Sequence, residues 1–261
     1  MTNPQKPQKF LRRQPAVLIM TATITPPSDA PHLLRSDPLL RLQDYRAALQ
    51  FYVSLLDRLF DRIVFVDNSC SDLTSLADAI AGVRGRVELV TFAGLDHPSH
   101  YGRAFGEFKL LDYAMANIPS LRDAEPHTTF WKITGRYRVT NLTTIIEHAP
   151  RPFALYFDLK RYPIPWFDTR LMAWTSAGYR LILQGIYEHL REDLFHSPSE
   201  EWLYKAVQPF LRIEGVVPRF TRVPRIEGIR GHDNQSYSGG WNFLKYLLRS
   251  AARRVFPPLW I

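Results

Sequence analysis

Short apolar runs alternate with helical patterns over the first 150 residues of this 261-residue chain. Four runs rich in β-branched residues have the length of buried strands, and they cover residues 16–20, 62–66, 87–92 and 129–133. Apolar residues also recur at steps of three and four, as on one helix face, at Leu42, Tyr45, Leu49, Tyr52, Leu56 and Leu59. Such alternation is typical of parallel sheets. We therefore predict an α/β fold with one mixed, mostly parallel, Rossmann-like sheet flanked by helices.

The second half of the chain has a less regular pattern. Two more strands are predicted at residues 153–157 and 171–174, and two helices at residues 179–194 and 199–207. The chain has no repeat, and its 20 prolines are spread over the connections rather than gathered in a linker. We therefore predict one domain spanning residues 1–261. Its parts are a basic tail (1–15), the sheet half (16–150), an irregular half (151–240) and a basic amphipathic C-terminal segment (241–261).

Composition narrows the class of partner. Lys and Arg number 33 against 25 Asp and Glu, and the net charge of +8 favours nucleotides, nucleic acid or acidic lipid. The single cysteine, Cys70, can form no internal disulfide, which fits a reducing, cytoplasmic compartment. Since no stretch of ~20 apolar residues is present, we expect no membrane-spanning helix.

Polar residues follow three of the predicted strands directly, at the edge where open parallel sheets bind ligands. They include Thr23 after the first strand, Asp67, Asn68 and Ser69 after the second, and Arg136 after the fourth. A carboxylate such as Asp67 can accept hydrogen bonds from a base or a ribose. The alternative is that Asp67 and Ser71 only cap the helix expected from about residue 73.

The run Val64-Phe-Val-Asp-Asn-Ser-Cys-Ser-Asp-Leu-Thr74 resembles the strand-two signature of family-2-like GT-A glycosyltransferases. The segments 18–24 and 101–107 are similar to that family's first strand and to its Gly-containing segment before the third helix. The resemblance covers roughly the first 150 residues. It implies that Asp67 reads the nucleobase of a sugar donor and that residues 16–150 bind the nucleotide-sugar. The residues implied in that site are Thr23, Asp67, Asn68, Ser69, Arg103 and Glu107.

The fourth strand departs from the family pattern, because Lys132-Ile-Thr-Gly-Arg-Tyr137 lies where an Asp-x-Asp motif would bind a divalent ion. This motif resembles one kept by some bacterial capsule and lipopolysaccharide glycosyltransferases. Arg136 and Lys132 can neutralise the departing diphosphate in place of a metal, and Thr134 and Gly135 are expected beside them. Alternatively, Arg136 is only a residue at the edge of the sheet and Lys132 forms an ordinary salt bridge. No metal ligands are predicted, while Mg²⁺ or Mn²⁺ held by the donor diphosphate stays an alternative.

An inverting transferase also needs a base for the acceptor hydroxyl. The resemblance implies a carboxylate at a helix start on the acceptor side, and Glu200 and Glu201 match that description, with Glu201 preferred. Acidic residues also favour helix starts for reasons of dipole alone. Further candidates on the acceptor side (151–240) are Asp158, Trp166 and Asp168. Arg230 and His232 lie in a Gly-containing segment that either closes over phosphates or forms a surface turn.

The C-terminal segment predicts a helix with two distinct faces. Lys245, Arg249 and Arg253 form a basic stripe at four-residue spacing. The apolar face comprises Trp241, Leu244, Leu248, Ala252 and Val255. This combination is typical of helices that lie on anionic membranes, although a helix packed against the protein's own core would have a similar pattern.

The combined prediction is a glycosyltransferase, by resemblance an inverting one. It would move a sugar from a nucleotide-sugar to a cell-surface polysaccharide or lipid-linked glycan, in the cytoplasm or at the inner face of the cytoplasmic membrane. A sugar-phosphate nucleotidyltransferase is the alternative enzyme, although Thr25-Pro-Pro27 replaces the Gly-rich loop expected after its first strand. A nucleic-acid-binding protein is disfavoured, because the basic residues form no recognised motif.

Overall fold

The structure is a computed structural model that describes residues 14–195 and 197–261. The predicted basic tail, residues 1–15, therefore lies outside the described residues except for its last two positions.

Seven strands form one mixed sheet in the order β3-β2-β1-β4-β7-β6-β8, and β5 pairs with β9 in a small second sheet. The strands are β1 (Ala16–Ala22), β2 (Arg62–Asp67), β3 (Val87–Thr91), β4 (Thr129–Thr134), β5 (Arg138–Val139), β6 (Leu155–Lys160), β7 (Trp166–Thr175), β8 (Val216–Val217) and β9 (Ile226–Glu227). Only β7 runs antiparallel to its neighbours in the large sheet. The predicted fold class, a mostly parallel Rossmann-like (GT-A) α/β sheet, is confirmed.

The helices cover both faces of the sheet. They are α1 (Pro38–Val53), α2 (Arg103–Asn117), α3 (Pro119–Arg122), α4 (Leu142–Glu147), α5 (Ser176–Gly178), α6 (Glu192–Phe195), α7 (Ser199–Val207) and α8 (Gly240–Val255). Four segments form 3₁₀ turns, at Thr74–Arg86, Ser99–Tyr101, Ile186–His189 and Gln208–Arg212, and Tyr179–Leu183 is a π-helix. The continuous helix predicted over residues 179–194 was wrong, because Gly185 adopts a left-handed φ of 75° and interrupts it.

The apolar runs of the sequence are explained by burial on both faces of the sheet. In β1, Leu18 and Met20 pack in the core on one face, while Val17 and Ile19 pack in the core on the other. A strand with both faces covered needs apolar residues at every position rather than at alternate ones. Helix α1 covers the first face with Tyr45, Leu49 and Tyr52.

The strand directions bring several chain segments to one edge of the sheet. Strands β1, β2 and β4 are parallel, so their carboxyl ends meet there. Because β7 is antiparallel to both β4 and β6, its first residues and the last residues of β6 lie at the same edge. The candidate site is built at this edge.

Helix α8 forms as predicted, but it is held to the rest of the protein through Arg253 of its basic stripe. Arg253 is buried and bonded to Asp158, whereas Trp241, Leu248 and Val255 of the apolar face are 63%, 56% and 66% exposed. The alternative of an apolar face packed on the core was therefore wrong, because the helix is held by an ion pair instead. Among the described residues, no helix has the length and apolar character needed to cross a bilayer.

Candidate functional site

A cavity of about 1180 Å³ opens at the strand edge. Twelve of the residues predicted from sequence line it, namely Thr23, Asn68, Arg103, Glu107, Thr134, Arg136, Asp158, Trp166, Asp168, Glu200, Arg230 and His232. Five others, Asp67, Ser69, Lys132, Gly135 and Glu201, are not among the residues that line it. Most of the residues predicted from sequence thus lie together at one cavity, and the structure separates those that face it from those behind its wall.

Asp67 lies behind the wall and holds the neighbouring loops together. Its fully buried carboxylate accepts hydrogen bonds from the backbone N–H of Ile24 at 2.8 Å and of Ser69 at 3.0 Å. Thr91 Oγ1 donates to the same carboxylate at 3.1 Å. On the cavity side, Thr23 Oγ1 donates to Asn68 Oδ1 at 2.7 Å. Asp67 therefore fixes the loops that present Thr23 and Asn68 to the cavity.

The alternative role for Asp67 as a helix cap has no support in the hydrogen bonds. The turn that follows begins at Thr74, and its backbone N–H donates to Asp72 at 2.9 Å.

Lys132 is fully buried beneath the cavity floor. Its Nζ lies 2.6 Å from Glu107 Oε1 and donates to the carbonyl of Thr169 at 2.6 Å. The same Glu107 oxygen accepts hydrogen bonds from Thr21 at 2.7 Å and from Thr134 at 3.1 Å. Burial lowers the pKa of Lys132, while the charge of Glu107 opposes that shift. Lys132 thus neutralises Glu107, whose side chain reaches the cavity.

Gly135 allows β4 to approach β1 closely. Its N–H donates to the carbonyl of Thr21 at 2.8 Å, and a Cβ at this position would lie only 2.8 Å from that oxygen and 3.2 Å from the ring of Tyr45. A side chain at this position would push the following residue, Arg136, out of place. The glycine of the motif is therefore required by packing.

Two guanidinium groups converge on Gly231 at the cavity wall. A Cβ there would lie 3.1 Å from Arg136 Nη2 and 3.9 Å from Arg103 Nη1. Arg136 donates to the carbonyl of Ile229 at 3.0 Å, and its buried Nε has no partner among the described residues. The side chain of Arg103 forms no hydrogen bond or ion pair with the part of the chain that the structure describes. Two close cations of this kind attract an anion.

Arg103 is the first residue of α2, so its backbone adds to this anion-binding character. The first N–H groups of a helix have no intrahelical partner and point toward the N-terminal side. The preceding Gly102 has a φ of 96°, and a Cβ there would lie 2.5 Å from Cδ of Glu192. Only glycine fits this helix start without strain.

Arg230 and His232 lie on the segment next to Gly231. Arg230 Nη2 is 2.6 Å from Asp233, and its buried Nε has no partner within residues 14–195 and 197–261. Burial lowers the pKa of His232, and the charges of Arg103 and Arg230 act in the same direction, whereas Asp233 opposes the shift. The lowered pKa favours the neutral imidazole, so the positive charge of this segment comes mainly from Arg230.

Of the paired carboxylates at the start of α7, only Glu200 lines the cavity. Adjacent residues of a helix point about 100° apart, so Glu201 is directed elsewhere. Burial raises the pKa of Glu200, with smaller contributions from Glu192 and Asp168, and Arg103 opposes the rise. The preference for Glu201 over Glu200 therefore finds no support in this geometry.

The carboxylates at the far end of the cavity are engaged with cations. Asp168 is paired with Arg170, and its Oδ2 lies 3.3 Å from Lys160 Nζ. Although burial opposes the shift, these two cations hold the pKa of Asp168 well below its usual range. Asp158 is paired with Arg253. Trp166, half-buried, adds an aromatic surface beside them.

The residues at this edge do not fit a metal centre built by the protein. Among the described residues, no group of three or more His, Cys, Asp or Glu side chains could hold one ion. Glu107, which lines the cavity, is already paired with the ammonium of Lys132. Mg²⁺ or Mn²⁺ brought by a donor diphosphate stays a prediction.

The comparisons with known proteins give information about the backbone fold only. No protein-family model and no curated protein matches the sequence. A candidate nucleotide-diphospho-sugar transferase from Desulfovibrio desulfuricans G20 is similar over 92% of this chain and 96% of its own, with 12% identity and a TM-score of 0.45.

Two further solved structures are similar at the same level. A glycosyltransferase involved in glycosylation of the major capsid of PBCV-1 has 11% identity and a TM-score of 0.43, covering 78% of this chain and 79% of that one. The 4-diphosphocytidyl-2C-methyl-D-erythritol synthase of Anaerococcus prevotii has 12% identity and a TM-score of 0.42, covering 92% and 96%. At such values, the likenesses carry no information about substrate or reaction.

Several residues that line the cavity were not predicted from the sequence. Arg41 is buried and donates to the carbonyl of Thr23 at 2.8 Å, although it lies in the amphipathic pattern of α1. Tyr237 stands under both Arg170 and Arg230, with ring-to-cation distances of 4.9 and 5.7 Å. Arg170 alone had a usable signal, because it follows Asp168 by two residues on β7 and so shares its face.

Proposed function

We propose that this protein is a glycosyltransferase that uses a nucleotide-sugar donor. The observation that carries the proposal is the convergence of Arg103 and Arg136 on Gly231, in a cavity that also contains the half-buried carboxylate Glu200. Glycosyl transfer needs this pair of functions, since cations must bind the departing diphosphate and a base must accept the acceptor proton. The cavity of about 1180 Å³ exceeds the usual size of a single small-molecule pocket, so it has room for donor and acceptor together.

The donor diphosphate would lie between Arg103, Arg136 and the first N–H groups of α2. The buried Nε atoms of Arg136 and Arg230, which have no partner in the described part of the chain, support an anion at this position. Thr23 and Asn68 line the same end and offer hydrogen-bonding groups to the nucleoside. In this proposal, Asp67 acts by holding their loops, not by reading the base directly.

In the chemical step, the acceptor hydroxyl attacks the anomeric carbon and transfers its proton to Glu200. The bond between that carbon and the phosphate oxygen breaks, and the electron pair leaves with the nucleoside diphosphate. Arg136 and Arg103 stabilise the charge that develops on the leaving group. Attack opposite the leaving group would invert the configuration of the sugar. Mg²⁺ or Mn²⁺ bound to the diphosphate would add to this stabilisation, but no step above depends on it.

The acceptor would enter beside Trp166 and α8, as a cell-surface polysaccharide of the capsule or lipopolysaccharide type or its lipid-linked precursor. The outward apolar face of α8 supports peripheral contact with an anionic membrane, where such a precursor is found. The basic stripe faces the cavity, so the membrane contact would be mainly apolar.

The test is a thermal unfolding series with UDP, GDP, CMP and their sugar conjugates, each with Mn²⁺ and with EDTA. A bound ligand raises the unfolding temperature by mass action. A shift with one nucleotide and its sugar conjugates supports the donor site, and its persistence in EDTA supports the arginines as the diphosphate partners. A parallel series with UTP, GTP and CTP tests the other enzyme class, because selective stabilisation by a triphosphate would favour the nucleotidyltransferase alternative. No shift with any nucleotide would overturn both.

A further inference from the structure

The basic stripe of α8 lines the cavity, with Arg253 buried, Arg249 half-buried and Lys245 exposed. Arg253 is fixed to Asp158 by two hydrogen bonds of 2.9 and 3.0 Å. Residues four apart on a helix share a face, so Arg249 and Lys245 continue from Arg253 along the cavity wall, and both line it.

Arg249 is a cation without a counter-ion of its own. Its guanidinium forms no hydrogen bond or ion pair with any described residue, and the ammonium of Lys245 lies 5.8 Å from the centre of the Trp241 ring. The nearby carboxylates are committed elsewhere, Asp158 to Arg253 and Asp168 to Arg170 and Lys160. Burial first, and then the charge of Arg170, lower the pKa of Arg249, whereas Asp168 and Asp158 act against the shift. The helix thus brings surplus positive charge to a partly desolvated wall.

This charge lies at the acceptor end of the cavity. The arginines that converge on Gly231 come from α2 and from the residues that follow β4. Arg249 instead lies near the charges of Arg170 and Asp168 on β7 and of Asp158 on β6, which act on its pKa. Burying part of a cation costs free energy unless the cation is paired. Arg249 therefore has a place for an anionic ligand.

A phosphoryl group fits these cations better than a carboxylate does. A phosphomonoester carries close to two negative charges at pH 7 and offers three acceptor oxygens. The planar fork of Arg249 can bind two of those oxygens, while the flexible ammonium of Lys245 can reach another. The opposite face of α8 is apolar and exposed, so a lipid tail attached to the phosphate would have a surface to follow.

We infer that Arg249 and Lys245 form a second anion site, which binds a phosphoryl group carried by the acceptor. This inference rests on the proposed glycosyltransferase function and specifies its acceptor as a phosphorylated molecule. The phosphoryl group can belong to a lipid phosphate or to a water-soluble sugar phosphate, and both sources share the same contacts.

The experiment measures binding of farnesyl phosphate, farnesol, glucose 1-phosphate and inorganic phosphate to the full-length protein saturated with the stabilising nucleotide. Arg249→Gln and Arg254→Gln form a matched pair, since each removes one arginine from α8 and Arg254 is exposed and does not line the cavity. We expect Arg249→Gln to weaken phosphate-probe binding at least ~10-fold, as for loss of a charge-assisted hydrogen bond, and Arg254→Gln to change it less than ~2-fold. Lys245→Gln is a second variant, with the same direction expected.

The outcomes separate the two proposals. Binding of farnesyl phosphate but not glucose 1-phosphate supports the site with a lipid source, and the reverse supports it with a soluble source. Failure of all phosphate probes to bind, or equal effects of Arg249→Gln and Arg254→Gln, would overturn the second site while the nucleotide shift still stands. If no nucleotide raises the unfolding temperature of the unaltered protein, the proposed function would instead be refuted.

Discussion

Arg253 and Asp158 form a buried two-point ion pair that joins the C-terminal helix to the end of β6. Arg253 Nη1 and Nη2 donate to the two carboxylate oxygens of Asp158 at 2.9 and 3.0 Å. Arg253 Nη1 also donates to the carbonyl of Phe220 at 2.9 Å. This pair decides which face of α8 meets the cavity, and therefore which residues are available to a substrate.

Removal of one partner should be strongly destabilising. We expect Asp158→Asn to lower the free energy of unfolding by about 3–5 kcal/mol, because Arg253 would remain buried without its counter-ion. Arg254→Met, on the exposed face of the same helix, should change it by less than about 0.5 kcal/mol. Urea denaturation measures both values. Equal stability of the two variants would contradict a structural role for the pair.

The convergent arginines should matter for turnover far more than for stability. We expect Arg136→Ala to lower kcat by ~10²–10³, the usual effect of losing a group that stabilises transition-state charge. Arg138→Ala is the matched control, because Arg138 lies two residues later, outside the cavity wall, and pairs with Glu227 at 3.4 Å. Steady-state rates of donor consumption test both. A normal rate in Arg136→Ala would remove the arginine from the mechanism.

Substitution of Glu200 and substitution of Glu201 should have very different effects on turnover. Glu200→Gln should lower kcat by at least ~10², as expected for loss of a general base, whereas Glu201→Gln should retain activity. Burial raises the pKa of Glu200, and a base works only when deprotonated. The acidic limb of kcat/KM should therefore lie at a higher pH than the ordinary glutamate value of about 4.3. Loss of activity in Glu201→Gln alone would assign the base to Glu201.

The cluster around Asp168 should contribute to stability at neutral pH and lose that contribution in acid. The folded-state pKa of Asp168 is held well below its usual range. Its pairing therefore stabilises the fold above the unfolded-state pKa of about 3.9, and the stabilisation falls as pH drops toward the folded-state value. Asp168→Asn should flatten the pH dependence of the unfolding free energy below about pH 4, measured by urea denaturation. An unchanged slope would contradict this assignment.

The apolar face of α8 should govern membrane contact. We expect the double variant Trp241→Ser and Leu248→Ser to reduce pelleting with anionic vesicles several-fold, because binding scales with buried apolar area. Leu181→Ser is the control, since Leu181 is exposed to a similar extent outside this helix. If the control and the double variant pellet equally well, the exposed face serves another purpose.

Most of the residues predicted from sequence lie at one cavity because parallel sheets bring their strand ends together. It could not separate Glu200 from Glu201, or Asn68 from Asp67, because neighbouring residues share every feature that a motif records. Only the direction of each side chain, which depends on the helix axis and on the loop path, brings one of each pair to the cavity. The same limit applies to Lys132, whose position in the motif suggested a diphosphate partner although it is buried against Glu107.

The sequence by itself determined the alternation of strands and helices, the doubly covered strand β1 and the sheet edge at which the cavity lies. These features depend on local periodicity and on burial, which apolar patterns record directly. The tertiary structure alone decided the orientation of α8. Its two faces are equally clear in the sequence, but the choice between them depends on Asp158, which lies 95 residues away from Arg253. A long-range ion pair produces no periodic pattern in the sequence. Only the folded chain therefore shows that the basic face of α8 is directed toward the cavity.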